Sequence, residues 1–177
     1  MNSVIIFKSN TGHTEQYANM LATELGCKAI PLNQLSKVDL NAYDRIFFGG
    51  CVHASKVAGL NTFIKQLSKN TNKQLIVFAV GANQYSEQNT NDLLNNNPIL
   101  KDMNIPLFYL QGGFDPEKLN FALRMMLQGV AKSLRKKQES NPDELTDKDR
   151  EFLEFFQEKN NHVDAKNLAE LMSYISQ

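Results

Sequence analysis

Residues 9 to 14 read SNTGHT. Ser9, Thr11 and Thr14 supply hydroxyls, Asn10 an amide and His13 an imidazole, and Gly12 lets the backbone turn sharply. An apolar run ends just upstream at Lys8, and a helical pattern begins just downstream. Neutral donors at a strand-to-helix junction suit a phosphate, because the start of a helix carries unpaired N–H groups and partial positive charge. The spacing is neither GxxxxGK[ST] nor GxGxxG, which sets aside a Walker loop and a dinucleotide-binding fingerprint. Lys8 belongs to the end of the strand, so an anion here would be held by neutral groups. The competing reading is an ordinary capped helix start with Thr11 or Thr14 as N-cap.

Three further apolar runs end in small or polar residues: FGGCVHAS (48–55), AVGANQY (79–85) and LQGGFD (110–115). Ligands of open α/β sheets bind outside the carboxyl ends of the strands, and glycines there admit a flat ligand. Glycine at such turns is also common without any ligand. His53 is either a proton donor, since imidazole changes charge near neutral pH, or a polar loop residue. Cys51 is either a thiolate or a small apolar thiol. His13, His53 and His162 lack metal-ligand spacing.

The elements that position these groups follow from hydrophobic periodicity. Strands are expected at 2–8, 27–32, 43–50, 74–81 and 105–113. The second carries Pro31 and reads as an edge strand. A helix is expected from His13 to Leu25, ended by Gly26. Others follow on Leu60, Phe63, Ile64 and Leu67, and from about Ala165 to Ile175. The Asn-rich stretch 83–98 reads as a surface excursion with one helical turn around Leu93 and Leu94. Alternating strands and helices imply a parallel sheet covered on both faces. The chain has 177 residues, 42% hydrophobic and 21% charged, which suits one domain with a real core. Nineteen basic and nineteen acidic residues cancel, so there is no basic excess of the kind nucleic acid attracts. Two cysteines without CxxC spacing suggest reduced thiols and a cytoplasmic setting. No signal peptide is evident, and no apolar run approaches the roughly 18 residues of a membrane span.

On these residues the chain resembles the flavodoxin superfamily. SNTGHT is similar to the [ST]-x-T-G-x-T phosphate loop of flavodoxins, and YDRIFFGGCVHA to their third strand and the loop along the flavin. The likeness is greatest to the menaquinone-dependent protoporphyrinogen oxidases and their flavodoxin-domain relatives. It is carried by YDRIFFGGCVHASKVAGLNTFIKQ and LFYLQGGFDPEKLNFALRMMLQGVAKSLRKK. The resemblance implies a flavodoxin-like three-layer α/β sandwich. Its five-stranded parallel sheet has the order 2-1-3-4-5, in a single domain over 1–177 with a helical insertion at about 115–160. It implies FMN. Ser9, Asn10, Thr11, Gly12, His13 and Thr14 would hold the phosphate, and Gly50, Cys51, Val52, His53 and Ala54 would flank one ring face. Gly81, Ala82, Asn83, Gln84 and Tyr85 would lie at the polar edge or the other face, with Gly113, Phe114 and Asp115 as a fourth contact. Unlike many flavodoxins the chain is net neutral and has no tryptophan, leaving Tyr85 and Phe114 to stack on the ring.

Asp115 and Pro116 suit an N-cap and first helical position. The helix expected from Leu119 is apolar nearly all round to Val130 and ends in Lys132, Arg135, Lys136 and Lys137. It suits a core helix under the sheet, an interfacial helix on anionic lipid, or a Met-rich surface for a redox partner. Residues 145–159 open on a T-x-x-D capping pattern, and Phe152, Phe155 and Phe156 are expected to pack on that helix. Three functions stand: an FMN oxidoreductase acting on a small organic substrate such as a protoporphyrinogen or quinone, an electron-transfer module docking on a larger redox protein, and a binding domain of this fold with weak or no flavin.

Overall fold

β1 (Ser3–Lys8) has Val4, Ile5, Ile6 and Phe7 buried. Successive side chains of a strand point to opposite faces. Val4 and Ile6 enter one apolar cluster, and Ile5 and Phe7 enter a second on the other side of the sheet. The computed structural model describes residues 1–67, 73–119, 121–157 and 159–177. In it β1 pairs in parallel with β2 (Lys28–Pro31) on one edge and with β3 (Arg45–His53) on the other. Beyond β3, after the two-residue β4 (Lys56–Val57), come β5 (Gln74–Gly81) and β6 (Leu107–Gln111), both parallel. The sheet order is β2-β1-β3-β5-β6, with β4 an antiparallel fold-back on β3. With β4 left out this is the expected 2-1-3-4-5, and Pro31 lies on the edge strand.

The helices complete three layers. α1 (His13–Leu25) lays Tyr17, Ala18, Leu21 and Ala22 on Ile5, Phe7, Phe47 and Phe78. Gly26 ends it at φ +60°, its N–H turned back to the Ala22 and Thr23 carbonyls. Leu168 and Leu171, at the start of α7 (Ala169–Ile175) and just before it, join the same face. The opposite face receives Leu60 and Phe63 of α2 (Leu60–Gln66), Leu93 of α3 (Glu87–Asn96) and Leu100 of α4 (Ile99–Asp102). The excursion at 83–98 is therefore mostly a ten-residue helix rather than a single turn. Ser86 caps it, its Oγ accepting from Asn89 N–H at 3.1 Å. A cap plus one deeply buried leucine outweighs the poor helix propensity of asparagine.

The chain divides into two compact units, Met1–Gly112 with His162–Gln177, and Gly113–Asn161. In the first, the Tyr17 hydroxyl donates to the Gln111 carbonyl and accepts from Asn167 Nδ2 and from the Asp164 N–H. One side chain thus ties α1 to the end of β6 and to the returning segment.

The second unit holds a short antiparallel pair, β7 (Gly113–Phe114) with β8 (Asn160–Asn161), and the helices α5 (Phe121–Ser140) and α6 (Asp147–Gln157). Thr146 and Asp149 form the expected reciprocal cap, each side chain accepting from the other's N–H at 3.2 and 3.0 Å. Ala131, Leu145 and Leu153 make its core, with Leu134, Phe152 and Phe156 packed around them. Phe152 and Phe156 thus pack as expected, while the side chain of Phe155 lies outside the described residues. Of the three settings open to the 119–137 helix, burial as a core helix is the one its exposed residues do not favour. Phe121 is 79% exposed, and Met125, Met126 and Val130 are exposed too. Ala131 is the buried residue of α5 and packs with Leu145 and Leu153 of its own unit. Asp115 does not start α5; it caps the short 3-10 turn Pro116–Lys118, its Oδ1 accepting from Glu117 N–H at 3.1 Å. Its carboxylate is 2% exposed, covered by Lys159 at 3.0 Å and Lys118 at 3.9 Å rather than set deep in the unit. The Lys159 hydrogen bond is the main cause holding its pKa below the ordinary 3.8, and the same pair raises Lys159 above 10.5.

Two outcomes follow. Tyr17→Phe removes the shared hydroxyl and is expected to destabilise the protein by about 1–2 kcal/mol, read as a lower urea midpoint at unchanged slope. An unchanged midpoint would show the hydroxyl to be idle. Because the folded-state pKa of Asp115 is depressed, its contribution is complete above 3.8 and is lost as pH falls through the lower native value. The Asp115 carboxyl carbon is therefore expected to titrate below 3.8 by NMR, and to move upward in Lys159→Met.

Candidate functional site

The segment joining β1 to α1 is set by one backbone conformation. Gly12 stands at φ +92° and is the N-cap of α1, with no side chain capping the helix. Neither Thr11 nor Thr14 is the N-cap, so the ordinary capped start expected as the alternative is not what forms. Instead Ser9 Oγ accepts from Gly12 N–H at 3.0 Å, closing the turn on itself. Thr11 Oγ1 stands 2.9 Å from His13 Nδ1. Thr14 is 1% exposed, and its Oγ1 has no hydrogen-bond partner among the described residues. Leaving a buried hydroxyl unpaired costs about 1–3 kcal/mol. It sits in the first turn of a thirteen-residue helix, where the N–H groups also lack intrahelical acceptors. An orphaned donor beside uncapped amides fits a phosphate oxygen, and the donors in reach are neutral or imidazole.

At the next strand end the sequence reading needs correction. Gly50, Cys51, Val52 and His53 are not a loop: they are the last four residues of β3. Cys51 pairs with Val80, Val52 with Val57 and His53 with Lys56. The turn is made by Ala54 and Ser55, at φ +48° and +56°, a conformation that costs a side-chain-bearing residue roughly 1–2 kcal/mol. A Cβ on Gly50 would overlap Val57 and come within 2.8 Å of the Ala58 carbonyl. That glycine serves the fold-back of the hairpin. Gly81 is similar: a Cβ there would overlap the phenol of Tyr109. The space these two glycines leave is filled by the protein itself and not held open for a flat ligand.

Cys51 lies against the Asn10 backbone, so β3 meets the hydroxyl loop directly. Burial pushes its thiol above the ordinary pKa, against smaller opposing effects from Asn10, its own backbone and Lys8. That direction favours the small apolar thiol over the thiolate of the two readings for Cys51. His53 is exposed near the tip of the hairpin.

Val52 and Ser55 from the hairpin, with Gly81 at the end of β5, Ala82 and Asn83 just beyond it and Tyr109 from β6, line a cleft of about 270 Å³. The structure thus brings the β3 and β5 ends together. Gln84 is held by its carbonyl, which accepts from Asn89 Nδ2 at 3.2 Å. Tyr85 is 58% exposed, its ring 6.4 Å from that of Tyr109. A wider cleft of about 660 Å³ is lined by Ser9 together with Lys8, Glu15, Leu32, Gly59 and Thr62 among others. Gly113, Phe114 and Asp115 belong to the second unit. There the Phe114 ring lies 5.7 Å from Phe156, and Asp115 is engaged by Lys159.

Two residues that shape the cleft escape the sequence reading. Asn97 is buried. Its Oδ1 accepts from Val57 N–H at 3.2 Å, and its Nδ2 donates to Leu93 O at 2.7 Å and Ser55 O at 3.4 Å. It pins the strained turn to α3. Tyr109 donates to the Asn83 carbonyl at 2.7 Å, and burial pushes its pKa up to about 12. The signals were slight: an asparagine directly before Pro98, and one phenol in the strand LFYLQ.

Among solved structures, the Trp repressor binding protein from Bacillus subtilis is 16% identical, covering 64% of this chain and 85% of its own, at a TM-score of 0.48. A WrbA-like flavodoxin from Agrobacterium tumefaciens is 16% identical, covering 68% and 86%, at 0.48. An NADH:FMN oxidoreductase in its apo form is 17% identical, covering 63% and 75%, at 0.39. No curated protein sequence matches the chain. The flavodoxin domain matches residues 4–141, from β1 through α5. With the hydroxyl loop directly after β1 and the strand order above, this chain belongs to the flavodoxin domain family, a membership that points to a flavin as its cofactor.

Proposed function

We propose that the protein is an FMN-binding redox protein whose cofactor phosphate is held by Ser9, Asn10, Thr11, Gly12, His13 and Thr14. The observation that carries this is the buried, unpartnered Thr14 Oγ1 at the uncapped start of α1. Family membership supplies the fold-level support. The chain's own residues do two things: the hydroxyls and first-turn amides bind the anion, and the hairpin from Gly50 to Ala54 and the segment Gly81 to Tyr85 orient the ring. A bound flavin supplies the electron or hydride transfer itself.

The finer reading is an oxidoreductase acting on a small organic substrate such as a protoporphyrinogen or a quinone. It rests on the likeness of residues 43–66 and 107–137 to the protoporphyrinogen oxidases. Oxidation of protoporphyrinogen with menaquinone as acceptor tests it, and no turnover by flavin-loaded protein removes it. Exposed Met125 and Met126 favour a second reading, an electron-transfer module with a docking face on α5. The filled space at Gly50 and Gly81 favours a third, a domain of this fold that holds no flavin. Among the described residues no helix is long and apolar enough to cross a membrane.

Thr14→Val separates these readings by opposing signs. Removing an orphaned hydroxyl is expected to stabilise the apoprotein by about 1 kcal/mol. The same change removes a donor to a charged group, and is expected to weaken FMN binding by roughly tenfold or more. Thr11→Val plus Thr14→Val is expected to weaken it further. Apoprotein stability is read by urea denaturation, and binding by quenching of flavin fluorescence. No quenching in the parent at tens of micromolar FMN would leave the flavin-free reading.

A further inference from the structure

The one ionisable side chain inside the SNTGHT loop is His13, and it is 7% exposed. Its Nδ1 stands 2.9 Å from Thr11 Oγ1. Two arrangements satisfy that distance. With Nδ1 unprotonated, the single hydroxyl hydrogen of Thr11 lies between the two atoms, and Thr11 shows only lone pairs to anything else. With Nδ1 protonated, the ring donates, Thr11 accepts, and its hydrogen is free to turn toward another acceptor. An anion discriminates between the two, since it is repelled by lone pairs and held by an O–H.

We propose that His13 is a positioning residue that decides whether the Thr11 hydroxyl can donate to a bound phosphate, so that phosphate binding and protonation of His13 Nδ1 are one coupled event. This rests on the phosphate reading of the loop. The proton balance closes in either of two ways. In a neutral ring one proton leaves Nε2 and one appears at Nδ1, with no net uptake. In an imidazolium one proton is taken from solvent. In both cases Thr11 breaks its donated bond to the ring, accepts one from it, and donates to the anion. The ring need not touch the ligand. Among the described residues, the elements around the loop carry Lys8 at the end of β1, Glu15, Tyr17 and Glu24 on α1, Arg45, Cys51 and His53 on β3, and His162 and Asp164 in the returning segment.

The test is the nitrogen spectrum of His13 in the full chain, 15N-labelled and flavin-free, at fixed pH. Spectra are taken alone, then with FMN, with inorganic phosphate and with riboflavin, while flavin fluorescence reports binding. The expected result is that FMN and phosphate each convert His13 Nδ1 from an acceptor-type to a protonated-type nitrogen, and that riboflavin does not. In Thr11→Val the conversion is expected to be lost while some FMN binding persists, which separates action through Thr11 from direct contact of ring and phosphate. Quenching by FMN with an unchanged Nδ1, or conversion that survives Thr11→Val, overturns the inference and leaves the flavin reading standing. No quenching by FMN and no response to phosphate overturns both.

Discussion

Everything at this site depends on how little room β1 leaves. It is hydrogen-bonded on both edges, to β2 and to β3, and covered on both faces by apolar clusters. A chain emerging from such a strand meets packed side chains wherever it turns, and must reach the start of α1 within four residues. Only a left-handed residue makes that turn, and Gly12 takes it without the penalty a Cβ would carry. The same choice strips the helix of a side-chain cap. The uncapped amides, the orphaned Thr14 hydroxyl and the Thr11–His13 pair are all consequences of one tight exit from one buried strand.

The parts of the molecule governed by strong local pattern were legible in the sequence. α1 ends where Gly26 says it should, β5 spans the apolar run 74–81, and the edge position of β2 follows from Pro31. The errors arose where local pattern and tertiary pairing conflict. Two adjacent glycines read as a strand end, yet β3 runs on to His53, because Gly49 and Gly50 are the residues that let Phe78 and the returning Val57 lie close. Asparagines read as a loop, yet Leu93 is deeply buried and draws them into α3. The apolar run of α5 was compatible with core, lipid or partner, and within its own unit Ala131 and Leu134 are what pack with Leu145, Leu153, Phe152 and Phe156.

Of the candidate site, the run of hydroxyls between β1 and α1 was legible in the sequence, but the orphaning of Thr14 depends on burial, which no motif encodes. The roles of Asn97 and Tyr109 depend on partners far away in the chain: Val57, forty residues before Asn97, and Asn83, twenty-six residues before Tyr109. Both side chains satisfy backbone groups around the 270 Å³ cleft. Its walls are therefore held by specific hydrogen bonds, and the left-handed pair Ala54 and Ser55 persists because Asn97 reaches the Ser55 carbonyl.

The His162 N–H donates to the Gly112 carbonyl at 2.7 Å. The chain therefore leaves the first unit and re-enters it at a single point. Among the described residues, the main-sheet pairings, the two apolar clusters and the Tyr17 hydrogen bonds of the first unit are made by residues 1–112 and 162–177. A backbone clasp at that point means the ends of the intervening segment are fixed by main-chain atoms, whose hydrogen bond is indifferent to side-chain identity at either position.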